Sequence, residues 1–208
     1  MTSLSDDLER VYGATTPEET AAAYNEWAAR YDAENLAKGF YLPAVAAGLM
    51  ARHLPRGEAP ILDAACGTGL VGLALQVLGY ETIMGVDLSE GMLGVARGRG
   101  YAAAYLHRLG TPLPEPDGRF AGAICSGAFG PGHAPPETLD ELVRVTRPGG
   151  IVVFNTVSKT MGEQGFTAKI DSLTETGRWQ PLEESADFPP FAIAEPSLLA
   201  RLYAFRVA

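Results

Sequence analysis

Residues 61–69 have the order of residue types that suits the binding of a nucleoside. They read ILDAACGTG: an apolar strand, an aspartate, and a Gly-Thr-Gly turn that leads into a helical pattern from Leu70. Glycines let the backbone approach a ligand closely, and the amino end of the following helix offers unpaired N–H donors. We therefore expect a ligand at this turn, on the carboxyl edge of a parallel sheet.

A second acidic residue, Asp87, ends the next predicted strand, 18 residues after Gly69. A carboxylate in that place can accept hydrogen bonds from both hydroxyls of a ribose, which a phosphate-binding loop alone would not require. A lone Gly-x-Gly is a weak signal, because it can be no more than a tight turn. The sequence of strand, turn, helix, strand and terminal acid favours a nucleoside site.

Two kinds of nucleoside cofactor compete for this turn. Residues 67–72 read GTGLVG and so fit the dinucleotide pattern G-x-G-x-x-G. However, Asp63 lies four residues before Gly67, where its charge repels a pyrophosphate but suits the ammonium or sulfonium of S-adenosylmethionine. Dinucleotide sites also place the first glycine directly after the strand, and the later RPGG of residues 147–150 has no role in hydride transfer. These features favour methyl transfer.

His133 is the histidine that the pattern places at the same edge of the sheet. It lies in residues 129–135 (FGPGHAP), a loop after the fourth predicted strand. An imidazole with an ordinary pKa of about 6.5 can accept the proton that a hydroxyl or ammonium acceptor loses on methylation. A solvent-exposed residue or a helix-capping contact is the competing interpretation, and both stay open.

Alternating strands and helices position these residues. The predicted strands span residues 61–63, 82–86, 101–106, 120–125 and 151–155, and the helices between them span 70–78, 89–97 and 136–146. Such alternation is typical of a parallel sheet covered by helices on both faces.

Two more helices are predicted before the sheet. Thr16 can cap the first, Pro17 suits its first turn, and Glu19 completes a capping box. This helix should run to about residue 30, with a loop at 35–40 and a second helix at 43–54.

Three aromatic residues share one face of the first helix, because Tyr24, Trp27 and Tyr31 are three and four positions apart. We expect a helical lid over the cofactor, with the Tyr31 hydroxyl near its methionine end. The alternative is an ordinary core stripe, which we prefer for Trp27.

The last quarter of the chain has a looser pattern, with a predicted helix at 163–176 and a strand at 199–207. Four aromatics stand in or near the irregular stretch 158–191, and they either form an acceptor pocket or close the edge of the core. They are Phe166, Trp179, Phe188 and Phe191. We expect one domain, divided into an N-terminal helical lid (1–56), a cofactor-binding core (57–157) and a substrate-side segment with the final strands (158–208).

Composition limits the classes of function. The chain has 208 residues, 47% of them hydrophobic, which is enough for one buried core. Its net charge of −9, without a Lys/Arg cluster, is atypical of nucleic-acid binding. The absence of a long apolar run or basic leader predicts a soluble cytoplasmic protein without a membrane partner. The two cysteines, Cys66 and Cys125, lack metal-type spacing, so we expect no metal site and interpret both as buried apolar side chains.

These motifs identify a family resemblance. Residues 63–69 (DAACGTG) resemble the first motif of the class I S-adenosylmethionine-dependent methyltransferases, and residues 85–89 (GVDLS) resemble the second. RPGG at 147–150 is similar to the turn before their fifth strand, and WAARYD at 27–32 is similar to the amino-terminal segment of many small-molecule members. Within the family, the chain resembles the methyltransferase-like protein of the Williams–Beuren region and its bacterial relatives. The resemblance covers about residues 24–157.

The resemblance implies a Rossmann-like α/β fold, a doubly wound, mostly parallel seven-stranded sheet with an antiparallel last strand. It also implies that Gly67 and Gly69 line the methionine of S-adenosylmethionine, that Asp87 binds the ribose, and that Leu88 and Met92 flank the adenine. The expected cofactor contacts are Tyr31, Asp63, Ala65, Cys66, Gly67, Thr68, Gly69, Asp87, Leu88, Met92, Leu109, Gly110 and Ser126.

The sequence departs from the family pattern in places. Ala65 stands where glycine is common, which is tolerable if its φ is negative. Leu109 and Gly110 replace an acid that often reads the adenine amine, and Phe120-Ala121 replaces the usual Phe-Asp. We expect an enzyme that methylates a small molecule and releases S-adenosylhomocysteine. A non-catalytic binder of either cofactor form and an NAD-dependent reductase are the alternatives.

Overall fold

A seven-stranded sheet forms the centre of the protein in the computed structural model, which describes residues 6–129, 133–157 and 161–208. The strand order is β3-β2-β1-β4-β5-β7-β6. Six strands run in the same direction, and β7 runs opposite to them. The strands are β1 (Ile61–Ala64), β2 (Ile83–Asp87), β3 (Ala103–Leu106), β4 (Phe120–Cys125), β5 (Thr146–Val157), β6 (Trp179–Glu184) and β7 (Ala200–Val207). The predicted Rossmann-like fold class is confirmed. The strand order reverses between β1 and β4, which is where ligands bind in such sheets.

Helices cover both faces of the sheet. They are α1 (Asp6–Gly13), α2 (Pro17–Trp27), α3 (Tyr31–Ala37), α4 (Leu42–His53), α5 (Leu70–Val77), α6 (Glu90–Ala96), α7 (Thr138–Val145) and α8 (Phe166–Glu175). Among the described residues, no helix has the length and apolar character needed to cross a lipid bilayer.

The core lies in two layers, one on each side of the central strands. Every residue of β1 and β4 is buried, as expected for parallel strands covered on both faces. Leu62 and Phe154 belong to the layer under α7 and α8, whereas Ile61 and Met50 belong to the layer under α4 and α5. This packing fixes the carboxyl ends of the central strands, from which the site is built.

The first helix predicted from the sequence, α2, is shorter than expected. The predicted capping box at Thr16 is present, but α2 ends at Trp27 rather than near residue 30. The expectation of a loop from residue 35 was wrong, because α3 occupies Tyr31–Ala37 and the Asn35 side chain donates to the Tyr31 carbonyl at 2.8 Å. The break lets the Tyr31 ring pack edge-on against Trp27, with centroids 4.7 Å apart.

The RPGG segment is part of β5 rather than a turn before it. Phe120 pairs with Thr146 and Gly122 pairs with Ile151, so residues 147–150 form a bulge inside a longer strand. Most other element boundaries agree with the predicted ones within three residues.

The irregular stretch after residue 158 contains a strand that was not predicted, β6. Its Trp179 is buried and stacks on Phe205 at 3.9 Å. Pro181 and two glutamates obscure the strand pattern, and proline is tolerated there because β6 is an edge strand.

Candidate functional site

A cavity of about 370 Å³ opens at the carboxyl ends of β1, β2, β3 and β4. This volume lies within the roughly 300–1,000 Å³ typical of small-molecule sites. Its floor comes from the turn after β1 and the ends of the neighbouring strands. Its outer wall comes from α2, the start of α3 and the loop after β4.

The cavity brings together ten of the fourteen residues singled out from the sequence. They are Tyr31, Ala65, Gly67, Asp87, Leu88, Met92, Leu109, Gly110, Ser126 and His133. The other four do not line the cavity: Asp63, Cys66, Thr68 and Gly69.

The Asp87 carboxylate anchors the turn. Its Oδ2 accepts the Gly67 backbone N–H at 2.8 Å, and its Oδ1 accepts the Ser89 backbone N–H at 2.9 Å. Burial raises the pKa of this carboxyl, and the backbone donors lower it. Each carboxylate oxygen has a second lone pair, so the group can also accept hydrogen bonds from a ligand in the cavity.

The turn itself has a backbone that favours glycine. Gly67 has φ +54, and a Cβ added there would meet no atom within 4 Å, so the space above it is open. The negative φ that would make alanine easily tolerated at position 65 is not present, since the φ of Ala65 is +60. Ala65 therefore adopts the left-handed conformation that glycine adopts without cost, which explains why glycine is common at this position in the family.

Asp63 is buried and does not line the cavity. Its Oδ2 accepts the Tyr101 hydroxyl at 2.5 Å, and that hydroxyl accepts the Gly72 backbone N–H at 3.1 Å. Complete burial raises the pKa of Asp63 to about 7. The idea that this carboxylate faces a bound ammonium or sulfonium does not fit this placement.

Gly72, which completes the dinucleotide-like pattern, has a packing role. A Cβ added there would lie 2.3 Å from the Tyr101 hydroxyl oxygen, so only glycine fits beside this ring. An added Cβ at Gly69 would also meet the Tyr101 ring, at 2.9 Å. The agreement with G-x-G-x-x-G thus follows from the position of Tyr101 and needs no pyrophosphate.

The remaining residues off the cavity wall are buried and contact other parts of the protein. Cys66 and Cys125 are free and buried, and desolvation raises the pKa of both thiols, as expected of inert side chains. The Thr68 hydroxyl donates to Asp32 at 2.6 Å, and Arg99 forms an ion pair with the other oxygen of Asp32. These contacts fasten α3 to the glycine-rich turn.

The outer wall carries the second polar group of the site. The Tyr24 hydroxyl and His133 Nε2 are 3.1 Å apart, and their rings meet edge-on at 6.1 Å. Both residues line the cavity. The glycines and proline that precede His133 in its predicted loop, residues 130–132, lie outside the described residues.

Ser126 supplies a polar atom that the described residues leave unsatisfied. Its Oγ is buried on the cavity wall without a hydrogen-bond partner among them. The following amide, Gly127 N–H, is held by Asn155 Oδ1 at 2.7 Å. A bound polar ligand would satisfy this hydroxyl.

The aromatics of the last quarter do not contribute to this cavity. Phe166 and Trp179 are buried in the core, and Phe191 stacks on Phe40 at 4.8 Å. Phe188 packs against the layer under α4. Of the two interpretations open at the sequence level, the closing of the core edge agrees with the structure.

Several wall residues were missed by sequence reasoning. Thr20 of α2 and the loop residues His107, Arg108 and Thr111 all line the cavity. The loop residues follow β3, so the edge rule that selected His133 would also have selected them. Thr20 carried no such signal, because the packing of α2 could not be read from the sequence.

The site fits a methylated nucleoside cofactor. Open space above Gly67 accommodates the ligand, Asp87 presents a carboxylate, Ser126 presents an unsatisfied hydroxyl, and Met92 and Leu88 supply apolar walls. This set suits a ribose and an adenine on a small polar chain.

Comparison with known proteins agrees with this chemistry. The family model described as a methyltransferase domain matches residues 61–150. Human methyltransferase-like protein 27 is 36% identical over 166 residues, which are 76% of this chain and 67% of that protein. Demethylmenaquinone methyltransferase of Symbiobacterium thermophilum is 42% identical over 48% of this chain and 43% of its own length.

A solved structure confirms the fold. A SAM-dependent methyltransferase of Thermotoga maritima, described as a possible histamine N-methyltransferase, superposes with a TM-score of 0.63 at 17% identity. The match covers 88% of this chain and 97% of that one. With the sequence relatives, the fold and the site, it shows that this chain belongs to the S-adenosylmethionine-dependent methyltransferases.

Proposed function

We propose that this protein transfers a methyl group from S-adenosylmethionine to an oxygen or nitrogen of a small molecule. The observation that carries the proposal is the cavity itself, which is lined by both the Gly67–Asp87 pair and the Tyr24–His133 pair. The Gly67–Asp87 pair suits a nucleoside. The Tyr24–His133 pair suits an acceptor group that loses a proton on methylation. The name of the demethylmenaquinone relative gives it a small-molecule acceptor, which supports a small molecule as the acceptor here.

The cofactor contacts follow from the cavity wall. Asp87 accepts the ribose hydroxyls, and the backbone at Ala65 and Gly67 faces the methionine moiety. Leu88, Met92, Leu109 and Gly110 enclose the adenine, while Tyr31 and Ser126 contact the methionine end. The four residues off the cavity wall shape the turn without touching the ligand: Asp63, Cys66, Thr68 and Gly69.

The side chains of the protein then contribute alignment of the acceptor, exclusion of water and uptake of one proton. The bound cofactor supplies a methyl group on a positively charged sulfur, which is a good leaving group. The cavity walls align the acceptor and exclude water, which accounts for much of the rate gain in such reactions. His133 receives the proton that a hydroxyl or ammonium acceptor loses.

Measurements of cofactor binding and of turnover distinguish the proposed function from two alternatives. An NAD-dependent reductase loses its main support, because Tyr101 explains Gly72. A non-catalytic binder of S-adenosylmethionine or S-adenosylhomocysteine would share the whole cofactor site. It would differ only in lacking turnover.

Calorimetry with S-adenosylmethionine, S-adenosylhomocysteine and NAD is the first test. We expect binding of the first two and none of NAD. A screen with methyl-labelled cofactor against metabolite pools then tests turnover, with the label appearing in a small molecule. Binding of NAD alone would overturn the cofactor assignment, and binding without label transfer to any pool would favour the non-catalytic function.

A further inference from the structure

Tyr24 and His133 meet across the mouth of the cavity although they are 109 residues apart in the chain. Tyr24 belongs to α2, and His133 belongs to the loop after β4. The hydroxyl oxygen and Nε2 are 3.1 Å apart, within hydrogen-bond range, and both side chains are half-buried. The contact joins the N-terminal helices to the edge of the sheet where methyl transfer is proposed.

The core holds the Tyr24 side of this contact in place. The Tyr24 ring stacks on Trp27 with centroids 6.2 Å apart, and Trp27 is 1% exposed. The next residue, Asn25, accepts the Ser89 hydroxyl at 2.7 Å and the Gly91 N–H at 2.8 Å through its Oδ1. The Tyr24 hydroxyl is therefore fixed relative to the connection between β2 and α6, which directly follows Asp87.

We propose that Tyr24 is the positioning residue of His133, so that the two side chains act as one proton-accepting unit. This inference rests on the proposed function. A hydrogen bond at Nε2 fixes the plane of the imidazole and decides which ring nitrogen carries the proton, as in sites where a third group orients a catalytic histidine. Because Tyr24 lies on α2, the unit is complete only when α2 is docked.

The chemistry of the step balances without a further reactant. A bond forms between the acceptor oxygen or nitrogen and the methyl carbon. The bond between that carbon and the cofactor sulfur breaks, and its electron pair stays on the sulfur. The acceptor's proton goes to Nδ1 of His133, while its Nε2–H donates to the Tyr24 hydroxyl oxygen, which can stabilise the charge of the resulting imidazolium.

Nuclear magnetic resonance of the intact protein tests the contact without an acceptor. Long-range ¹H–¹⁵N spectra of the imidazole rings report tautomers, and His133→Gln assigns the His133 signals. We expect a single His133 tautomer in the wild type, with the proton on Nε2 and the lone pair on Nδ1. Tyr24→Phe should give a mixture of tautomers, because it removes the hydroxyl but keeps the ring that stacks on Trp27.

Tyr41→Phe is the matched control, since it removes a tyrosine hydroxyl outside the cavity, on a ring that packs against Phe188. It should leave the His133 signals unchanged. The other titratable groups on the cavity wall are Tyr31, Asp87, His107 and Arg108, and both variants retain them. An unchanged His133 tautomer in a folded Tyr24→Phe variant would overturn the proposal. If that variant does not fold, equal populations of both His133 tautomers in the wild type would do so.

Kinetics with an acceptor found in the labelled screen complete the test. Tyr24→Phe should lower kcat about tenfold or more, shift the pH profile of kcat and leave the KM for S-adenosylmethionine nearly unchanged. The double variant Tyr24→Phe/His133→Gln should be no slower than His133→Gln, because one unit is lost only once. Fully additive losses contradict the proposal. Failure of the proposed function is distinguishable, because it appears as absent cofactor binding or label transfer whatever the imidazole spectra show.

Discussion

The Asp87 carboxylate accepts the backbone N–H of Gly67 at 2.8 Å, across 20 residues of chain. This bond joins the end of β2 to the turn after β1, the two features that the sequence singled out first. It also holds the carboxylate at the cavity wall, where one lone pair on each oxygen stays available to a ligand. Loss of this side chain should therefore affect the ligand as well as the turn.

Replacing Asp87 by alanine should weaken binding of S-adenosylmethionine ten- to a hundredfold. Loss of a charged hydrogen-bond acceptor costs about 1.5–3 kcal/mol, which corresponds to that change in affinity. Calorimetry measures the effect, with Asp171→Asn on the exposed surface of α8 as the control. Unchanged affinity in a folded Asp87→Ala protein would show that the ribose is bound elsewhere.

Replacing Ala65 by glycine should stabilise the protein by about 0.5–1 kcal/mol. The left-handed conformation at φ +60 costs an L-residue about 1–2 kcal/mol, and the greater flexibility of glycine in the unfolded chain offsets part of the gain. Ala65→Val should destabilise it by at least about 1 kcal/mol, because a β-branched residue tolerates this conformation least. Urea unfolding checks both changes, and a destabilised glycine variant would contradict the strain at this turn.

The sequence predicted the sheet well because its central strands are continuous apolar runs between strong turn signals. It also predicted the cavity floor, since the carboxyl ends of β1 and β2 are local features. Ala65 shows the limit: its φ depends on how the turn closes against Asp87, which no residue type reveals.

Longer-range contacts account for the other differences. The position of Asp63 in the sequence suggested a contact with a positively charged group of the cofactor. In the structure its carboxylate instead accepts a hydrogen bond from the hydroxyl of Tyr101, 38 residues later. The contact between Tyr24 and His133 depends on how α2 packs across the sheet edge. Such pairings arise from tertiary packing, so spacing along the chain does not indicate them.

Asp63 should make the stability of the protein fall as pH rises. Burial raises its pKa from 3.8 to about 7, so between these values the folded state binds more protons than the unfolded state. The free energy of unfolding should therefore decline from about pH 4 to about pH 7 and level off above, by about 1.4 kcal/mol per unit of pKa difference.

Asp63→Asn removes this ionisation and tests the sign. The stability of the variant relative to the wild type should increase from pH 4 to pH 7, as measured by urea unfolding. Tyr101→Phe should shift the transition to higher pH, since the Tyr101 hydroxyl lowers the pKa of the carboxyl. A difference between Asp63→Asn and the wild type that is constant with pH would mean that Asp63 is charged throughout this range.

His133→Ala should lower turnover about 10²-fold while leaving the affinity for S-adenosylmethionine nearly unchanged. General bases contribute factors of this size, and the residue lies on the outer wall, on a different element from Asp87. Steady-state kinetics and calorimetry measure the two quantities. His53→Gln is the matched control, because His53 pairs with Glu183 at 2.9 Å outside the cavity. Normal turnover of His133→Ala at pH 7 would leave alignment alone as the mechanism.

The docking of α2 on α6 provides the last prediction. A Cβ added at Gly91 would lie 2.9 Å from the Cα of Asn25, so Gly91→Ala should push α2 away from the site. Gly94→Ala is a close control, because it lies in the same helix and its Cβ would meet nothing within 4 Å. Both changes favour the helix equally by propensity, so their difference isolates the contact with α2.

Hydrogen exchange of residues 17–40 measures this docking. Overpacking costs about 1–3 kcal/mol, so amides there should exchange roughly ten- to a hundredfold faster in Gly91→Ala than in Gly94→Ala. If the N-terminal helices form a lid, S-adenosylhomocysteine should slow exchange of the same residues in the wild type and in Gly94→Ala, and less in Gly91→Ala, because a ligand that contacts Tyr31 favours the docked state. Exchange that is equal with and without the ligand would instead identify α2 and α3 as a static part of the scaffold.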